Sequence, residues 1–402
     1  MSQNSISKQI GATFLITGTV IGAGVLALPI VTAQLGFLFA TAIMLFSWLV
    51  MTFTALLIAD LSISMPVGTS FAHMAKKILG PIGAVISWVS FVFLMYSISV
   101  AYISAASSAF STLLLNLAQQ WVAIIFVVVF GLVVIVGTRY VDWVNRLLIV
   151  SKIIILVLVF IFFIPSIQAA NLFQLPEHTG TAFALAFPVV ITSFTSHIIV
   201  PTLSDYMHKD KKALARVIVW GSTIPLVLYI GWLISILGIL PLHGAISFDH
   251  GVLNHASPNV GDVLNALNHI LHTGITHALL NAFSIIAVVT SYLSVSLALY
   301  HFNVDSYRLH RLNSTNRILA ATILTFILPL VINLVDPNLF LAAIGYVGVS
   351  VAILVVLLPV IMIMRQTYVN QPLNYQVSQS RVLWAISFFA GALAIILKLF
   401  FS

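Results

Sequence analysis

Two short stretches of this 402-residue chain have the make-up of a ligand site built from backbone rather than side chains. The first is Gly18-Thr19-Val20-Ile21-Gly22-Ala23-Gly24, three glycines inside a long apolar run. The second is Thr192-Ser193-Phe194-Thr195-Ser196-His197, four hydroxyl residues and a histidine between Pro188 and Pro201. In hydrocarbon every backbone N–H and C=O must find a partner, and a loosened ladder is tolerated only where it lines a cavity or meets a ligand. Glycine loosens the ladder and proline removes one donor from it. Bare N–H groups after Ala23 and Gly24, at a positive helix end, suit a carboxylate. Open carbonyls from Gly18 to Ile21 suit an ammonium group or a cation. Thr19, Thr195 and Ser196 add neutral polar contacts. An α-amino acid carries both charges on adjacent atoms and fits; a sugar would call for more Asn, Asp, Glu and Gln within the apolar runs.

The elements that must carry these stretches follow from composition. Hydrophobic residues make up 61% of the chain and charged residues 6%, too little polar surface for a water-soluble fold. The formal charge of +7 would suit nucleic acid, but the basic residues sit elsewhere in the pattern. Absence of cysteine excludes disulfides and thiolate metal sites. The first apolar run is too long for a cleaved leader and ends at Pro29 rather than a small-residue cleavage site. At about 20 residues per span, eleven helices are expected, roughly 9–33, 36–63, 82–110, 120–138, 146–167, 181–204, 213–241, 276–303, 316–335, 338–364 and 382–401. All 16 Lys and Arg except Lys152 and Lys398 then flank spans on one face. By the positive-inside rule that face is cytoplasmic, with the N-terminus inside and the C-terminus outside. The expected location is a bacterial cytoplasmic (inner) membrane.

The connections repeat. Residues 70–79 read as a short interfacial helix before span three, and 260–272 as another before span eight, on the opposite face. Two inverted five-helix repeats, about 9–167 and 181–364, with an extra helix at 382–401, would produce this within one transmembrane domain covering 1–402. Kinks alone would explain either break, because glycine and proline are common in membrane helices. Breaks at matching places in two repeats favour a binding site.

Ionisable residues inside spans are functional hypotheses by default. Lys152, six residues past Arg146, either exchanges protons from a buried position or snorkels to the interface. His197 is a second candidate for proton coupling, or a neutral histidine bonded to backbone. Ser291, Ser294 and Ser296, with the carbonyls of Gly18 and Ile21, could instead complete a sodium site, or serve as interhelical glue. Asp60, near the inner end of span two, pairs with a cytoplasmic cation or, by preference, serves as an anchor, and Asp205 and Asp210 read as a solvated cytoplasmic turn or gate. His269 and His272 share a helical face and could ligate a metal, but with no third ligand fixed by spacing, and beside His243, His250, His255 and His277, a wet loop is expected.

The run GATFLITGTVIGAGVLALPIVTAQLGF resembles the first helix of the hydroxy and aromatic amino acid permeases, which include bacterial tyrosine- and tryptophan-specific permeases. The likeness extends to the SFTSH segment with its following proline and to TLSDYMHKDKK. These permeases tend to have glycine where this chain has Thr195 or Ser196. The resemblance implies an all-α LeuT-type 5+5 inverted repeat plus one helix, with helices one and six discontinuous. It also implies substrate held between helices one, three, six, eight and ten. By motif position, Ala23 and Gly24 would meet the carboxylate, Thr19, Val20, Phe194 and Thr195 would surround the amine, and Gly22 lies between. Phe194 would also act as a lid. On helix three, Tyr96 near mid-depth or Tyr102 nearly two turns further out would donate to the carboxylate, stack on an aromatic cargo, or fill an interface. A helix-five lysine stands in relatives where sodium-coupled members bind a cation, so Lys152 in that place would argue for protons.

The reading that follows is a secondary active transporter importing an aromatic amino acid, tyrosine before tryptophan because the site strip is rich in hydroxyls, by alternating access. Coupling to H+ is expected before Na+ or exchange, with no other cofactor. The expected partners are an amino acid and the lipid bilayer, with no nucleic acid, and a monomer suffices. A membrane-embedded enzyme would need paired intramembrane aspartates, HExxH, or a Ser facing a His base. Ser196 and His197 are helix neighbours and do not face each other. A channel would need a continuous polar lining or an oligomeric ring.

Overall fold

The computed structural model describes residues 3–22, 24–113, 117–174, 179–244, 246–253, 258–271 and 274–401. Among these, ten helices are long and apolar enough to cross a membrane, and a bent pair at the N-terminus makes an eleventh span. Span one consists of Gln3–Val20 and Gly24–Thr32, bent by 50° at the break. Span two is Phe37–Ile63; span three ends the helix Phe71–Leu113; spans four and five are Gln119–Val136 and Thr138–Phe163. Span six starts as Thr179–Thr192, loses helical form at 193–196, and resumes through His197–Ile199 into Val200–Tyr206. Lys211–Ile239 forms span seven and Gly274–Ser306 span eight. Span nine runs from Ser314 through Val335, span ten from Phe340 through Tyr368, and span eleven is Arg381–Phe400.

The packing pairs repeat with the order inverted. Span three lies against span ten, and span eight against span five; the first half of span one lies against span seven, and Val200–Tyr206 against span two. Each second pair is the first with one member moved five spans forward and the other five back. The second half of span one packs on the first half of span six, its own counterpart. Span eleven lies outside this scheme, against spans ten and six.

Local chemistry sets the corners. Gly80 adopts φ 73°, ψ −159° and turns the interfacial helix over 71–79 into span three, where Pro81 occupies a first-turn position that needs no N–H. The counterpart Val260–Ile270 opens with a capping box: Asn259 accepts from Asp262 N, and Asp262 accepts from Asn259 N at 2.9 Å. Its buried Val260, Val263, Leu264 and Leu267 close over span one, leaving a cavity of about 10 Å³ beside Leu26, Pro29 and Trp232. That is room for about one water at most. In spans nine and ten the turns Ile323–Ile327 and Ala352–Leu357 widen to π-helix just before Pro329 and Pro359. Each proline lacks the N–H that the regular ladder requires.

The opposite face, which carries most of the basic residues, is fastened by loops. Asp60 is fully buried; its Oδ1 accepts from Asn374 N at 2.9 Å and Asn374 Nδ2 at 3.1 Å, and its Oδ2 from Tyr375 N at 3.0 Å. Burial, with Asp60 and Asp210 nearby, pushes the Tyr375 hydroxyl up, so it stays protonated and donates to Lys211 O at 2.9 Å. Asp205 accepts from Gly68 N at 2.7 Å, Lys209 donates to the Met65 carbonyl, and Asp210 caps span seven through Lys212 N and Ala213 N. Asp205, partly exposed, and Asp210, exposed, therefore hold the solvated turn together. Asp60→Asn keeps the size but replaces one accepting oxygen by a donor that faces an N–H. A loss of about 2–3 kcal/mol is expected, seen as a lower unfolding midpoint in detergent.

Candidate functional site

The two breaks meet in the centre of the molecule. Past Val20 the ladder fails: Gly22 N turns back to Val20 O at 2.8 Å, and Val25 N reaches Gly22 O only at 3.4 Å. Ala23 lies outside the described residues. Gly24 begins the second half, and a Cβ there would stand 2.6 Å from Ser193 Oγ and 3.1 Å from Ser193 Cα, so only glycine lets the breaks touch. On the other side, a Cβ on Gly22 would lie 3.4 Å from both Ser291 Oγ and Tyr102 Oη. Spans one, three, six and eight therefore converge on residues 22–24.

In span six two hydroxyls fold back on the carbonyls four residues before them. Thr192 Oγ1 donates to Pro188 O at 2.8 Å and Ser193 Oγ to Val189 O at 2.9 Å. Thr195 Oγ1 is buried and has no hydrogen-bond partner among the described residues. Phe194 is buried with its ring T-shaped on Tyr229, centroids 5.5 Å apart, and Ser196 is buried beside it in sequence.

Two side chains from other spans close the opened carbonyls of span one. Lys152 is 4% exposed, and its Nζ donates to Ile21 O at 2.9 Å. The ammonium therefore turns inward instead of snorkelling. Tyr229 of span seven donates to Val20 O at 2.6 Å and lies 3.2 Å from Ser193 O. Sequence reading missed Tyr229; the only signal was a tyrosine at the middle of an apolar span.

Several expected residues are placed elsewhere. Tyr96 donates to Leu324 O at 2.9 Å, a carbonyl in the π-turn of span nine, and accepts from Asn303 Nδ2 at 3.5 Å. Tyr102, six residues on and so about 240° around the helix, is the tyrosine at the break. Thr19 is exposed and folds its hydroxyl back on Leu15 O at 2.8 Å, which takes it out of the site. Val20 presents its carbonyl while its side chain is buried in the core. Gly18 lies in intact helix, with open space where a Cβ would point. Ser294 is exposed, donates to Thr290 O at 2.9 Å and accepts from Asn145 Nδ2 at 3.0 Å; Ser291 is the serine beside Gly22.

His197 is fully buried, its Nε2 2.8 Å from Thr54 Oγ1. Thr54 gives its proton to Met51 O at 3.2 Å, which assigns the donor role to Nε2–H. In this arrangement His197 ties span six to span two. In the histidine-rich loop, His243 Nδ1 lies 2.5 Å from Asp249 Oδ2, and His277 Nε2 meets the Leu271 carbonyl. His255 and His272 lie outside the described residues.

Comparison with known proteins gives the family and the fold. The profile of the tryptophan/tyrosine permease family matches residues 5–398. The tyrosine-specific transport system 2 of Haemophilus influenzae is 29% identical, covering 97% of this chain and 96% of the relative. A tryptophan-specific transport protein of Pseudomonas aeruginosa is 32% identical over 88% of this chain and 85% of its own. Among solved structures, MhsT in complex with L-phenylalanine superposes with a TM-score of 0.63 at 15% identity, covering 96% of this chain and 97% of that one, which shows the LeuT-type fold.

Proposed function

The chain belongs to the tryptophan/tyrosine permease family, a family of transport proteins and not of enzymes, and from that premise we propose that it imports an aromatic amino acid, tyrosine by preference, with protons. The single observation that carries the coupling is the bond from Lys152 Nζ to Ile21 O at the break. A fixed ammonium there neutralises the carbonyl that a sodium ion would otherwise bind, and a buried lysine changes its charge readily. The cargo carboxylate is held at the start of Gly24–Thr32, where a helix offers N–H groups without intrahelical partners. Its ammonium group faces the unwound carbonyls, and Phe194 closes on its side chain. Preference for tyrosine is supported by Thr195 Oγ1, which has no partner among the described residues and can bond a phenol. The basic face is the cytoplasmic one in this reading, with the N-terminus inside and the C-terminus outside a bacterial inner membrane.

Uptake of labelled tyrosine and tryptophan into proteoliposomes, under an imposed proton or sodium gradient, tests this. Saturable tyrosine uptake that follows the proton gradient and ignores sodium is expected. Uptake driven by sodium alone, or none of either amino acid, would overturn the proposal.

A further inference from the structure

We propose that Tyr229 is the positioning residue that joins the two unwound segments into a single unit. Its one hydroxyl proton is shared between two acceptors, Val20 O at 2.6 Å and Ser193 O at 3.2 Å. One donor thus serves the opened carbonyls of both breaks. The residue is fully buried, so water does not compete for those carbonyls. Its ring carries Phe194 in a T-shaped contact, adding a second hold on span six.

Span seven has a further grip on span one. Thr17 Oγ1 donates to Gly221 O at 3.2 Å, and a Cβ on Gly221 would come within 2.6 Å of Ile16 Cβ, so the Ile16 side chain packs directly on the backbone of span seven there. From residue 221 to residue 229 the rise along span seven is about 12 Å, so the end of Gln3–Val20 is held at two heights. Rotation of span seven therefore carries the end of span one, and through Tyr229 it carries the span-six break as well. The Gly24–Ser193 contact lets the breaks approach; the phenol decides that they move together.

This assignment concerns the site described above but not its cargo, so its test needs no substrate. The chain has no cysteine, and single reporters can be placed directly. Val20→Cys and Ser196→Cys report on the two breaks, and Ala390→Cys, buried in span eleven, reports on the rest of the fold. In the parent all three should react slowly with a small thiol reagent. Tyr229→Phe keeps the ring and removes the proton. Both break reporters should then react about tenfold faster, the scale set by leaving buried acceptors unpaired, while Ala390→Cys stays slow. Acceleration at only one break, or at neither, overturns the assignment. Should Ala390→Cys quicken as well, Phe194→Leu decides, since it keeps the hydroxyl. Val20→Cys must then stay slow, and a rate matching that in Tyr229→Phe overturns the proposal. Failure of amino acid uptake would leave these rates untouched and bear only on the proposed function.

Discussion

Replacing Lys152 by alanine is expected to abolish accumulation driven by pH alone, while exchange of internal for external cargo continues. With one proton per cargo molecule, a gradient of one pH unit sustains about a tenfold concentration ratio at most. The variant should reach a ratio of about one under the same gradient. The expectation rests on geometry: Nζ is buried and donates to Ile21 O, one residue past the end of the first half of span one. Loss of the ammonium removes a group that can change charge at the break and leaves the cargo-facing backbone otherwise in place. Lys152→Gln separates the two roles of the side chain, since it retains a donor and never titrates. It should restore the exchange rate if alanine lowers it, without restoring accumulation. Full pH-driven accumulation in Lys152→Ala would remove the lysine from the coupling mechanism.

A comparably large effect is expected from Gly24→Val. The added Cβ would lie 2.6 Å from Ser193 Oγ, 2.9 Å from its Cβ and 3.1 Å from its Cα, and backbone cannot step aside as a flexible side-chain end can. The two breaks must separate by the better part of an ångström, which should lower uptake roughly a hundredfold, the scale that such misplacement costs at sites built on exact positioning. Ser193→Gly in the same chain removes the two nearest atoms and should restore part of the rate. Gly11→Ala serves as the control, because nothing lies within 4 Å of a Cβ there and the residue stands in regular exposed helix. Equal uptake by Gly24→Val and Gly11→Ala would mean that the close approach of the breaks is not needed for transport.

These two expectations draw on the sequence to different degrees. The glycines of the first span and the Pro188–Pro201 segment announced both breaks, because loss of the helical ladder is a property of a few neighbouring residues. Gly80-Pro81 and Asn259-Val260-Gly261-Asp262 likewise set the ends of the interfacial helices by local backbone chemistry. The partner of each freed carbonyl was not local. Tyr229 comes to Val20 across 209 residues of chain, and Lys152 to Ile21 across 131. Tyr96 and Tyr102 share a helix, an apolar setting and a residue type, and only their rotation about the axis tells them apart.

The sequence by itself determined that this chain crosses the bilayer with eleven spans, that two of them are interrupted, and that nearly all cations lie on one face. Those features follow from hydropathy, from glycine and proline, and from charge, each readable within a turn or two of helix. Tertiary structure alone decided that Tyr102 stands at the break and Tyr96 in span nine's π-turn, that Thr19 faces away, and that Asp60 grips Asn374 and Tyr375. The physical reason is that each residue turns its side chain by about 100° around a helix, so a contact depends on how whole helices are rotated and crossed. That rotation is fixed by packing summed over every helix pair, which no single segment encodes.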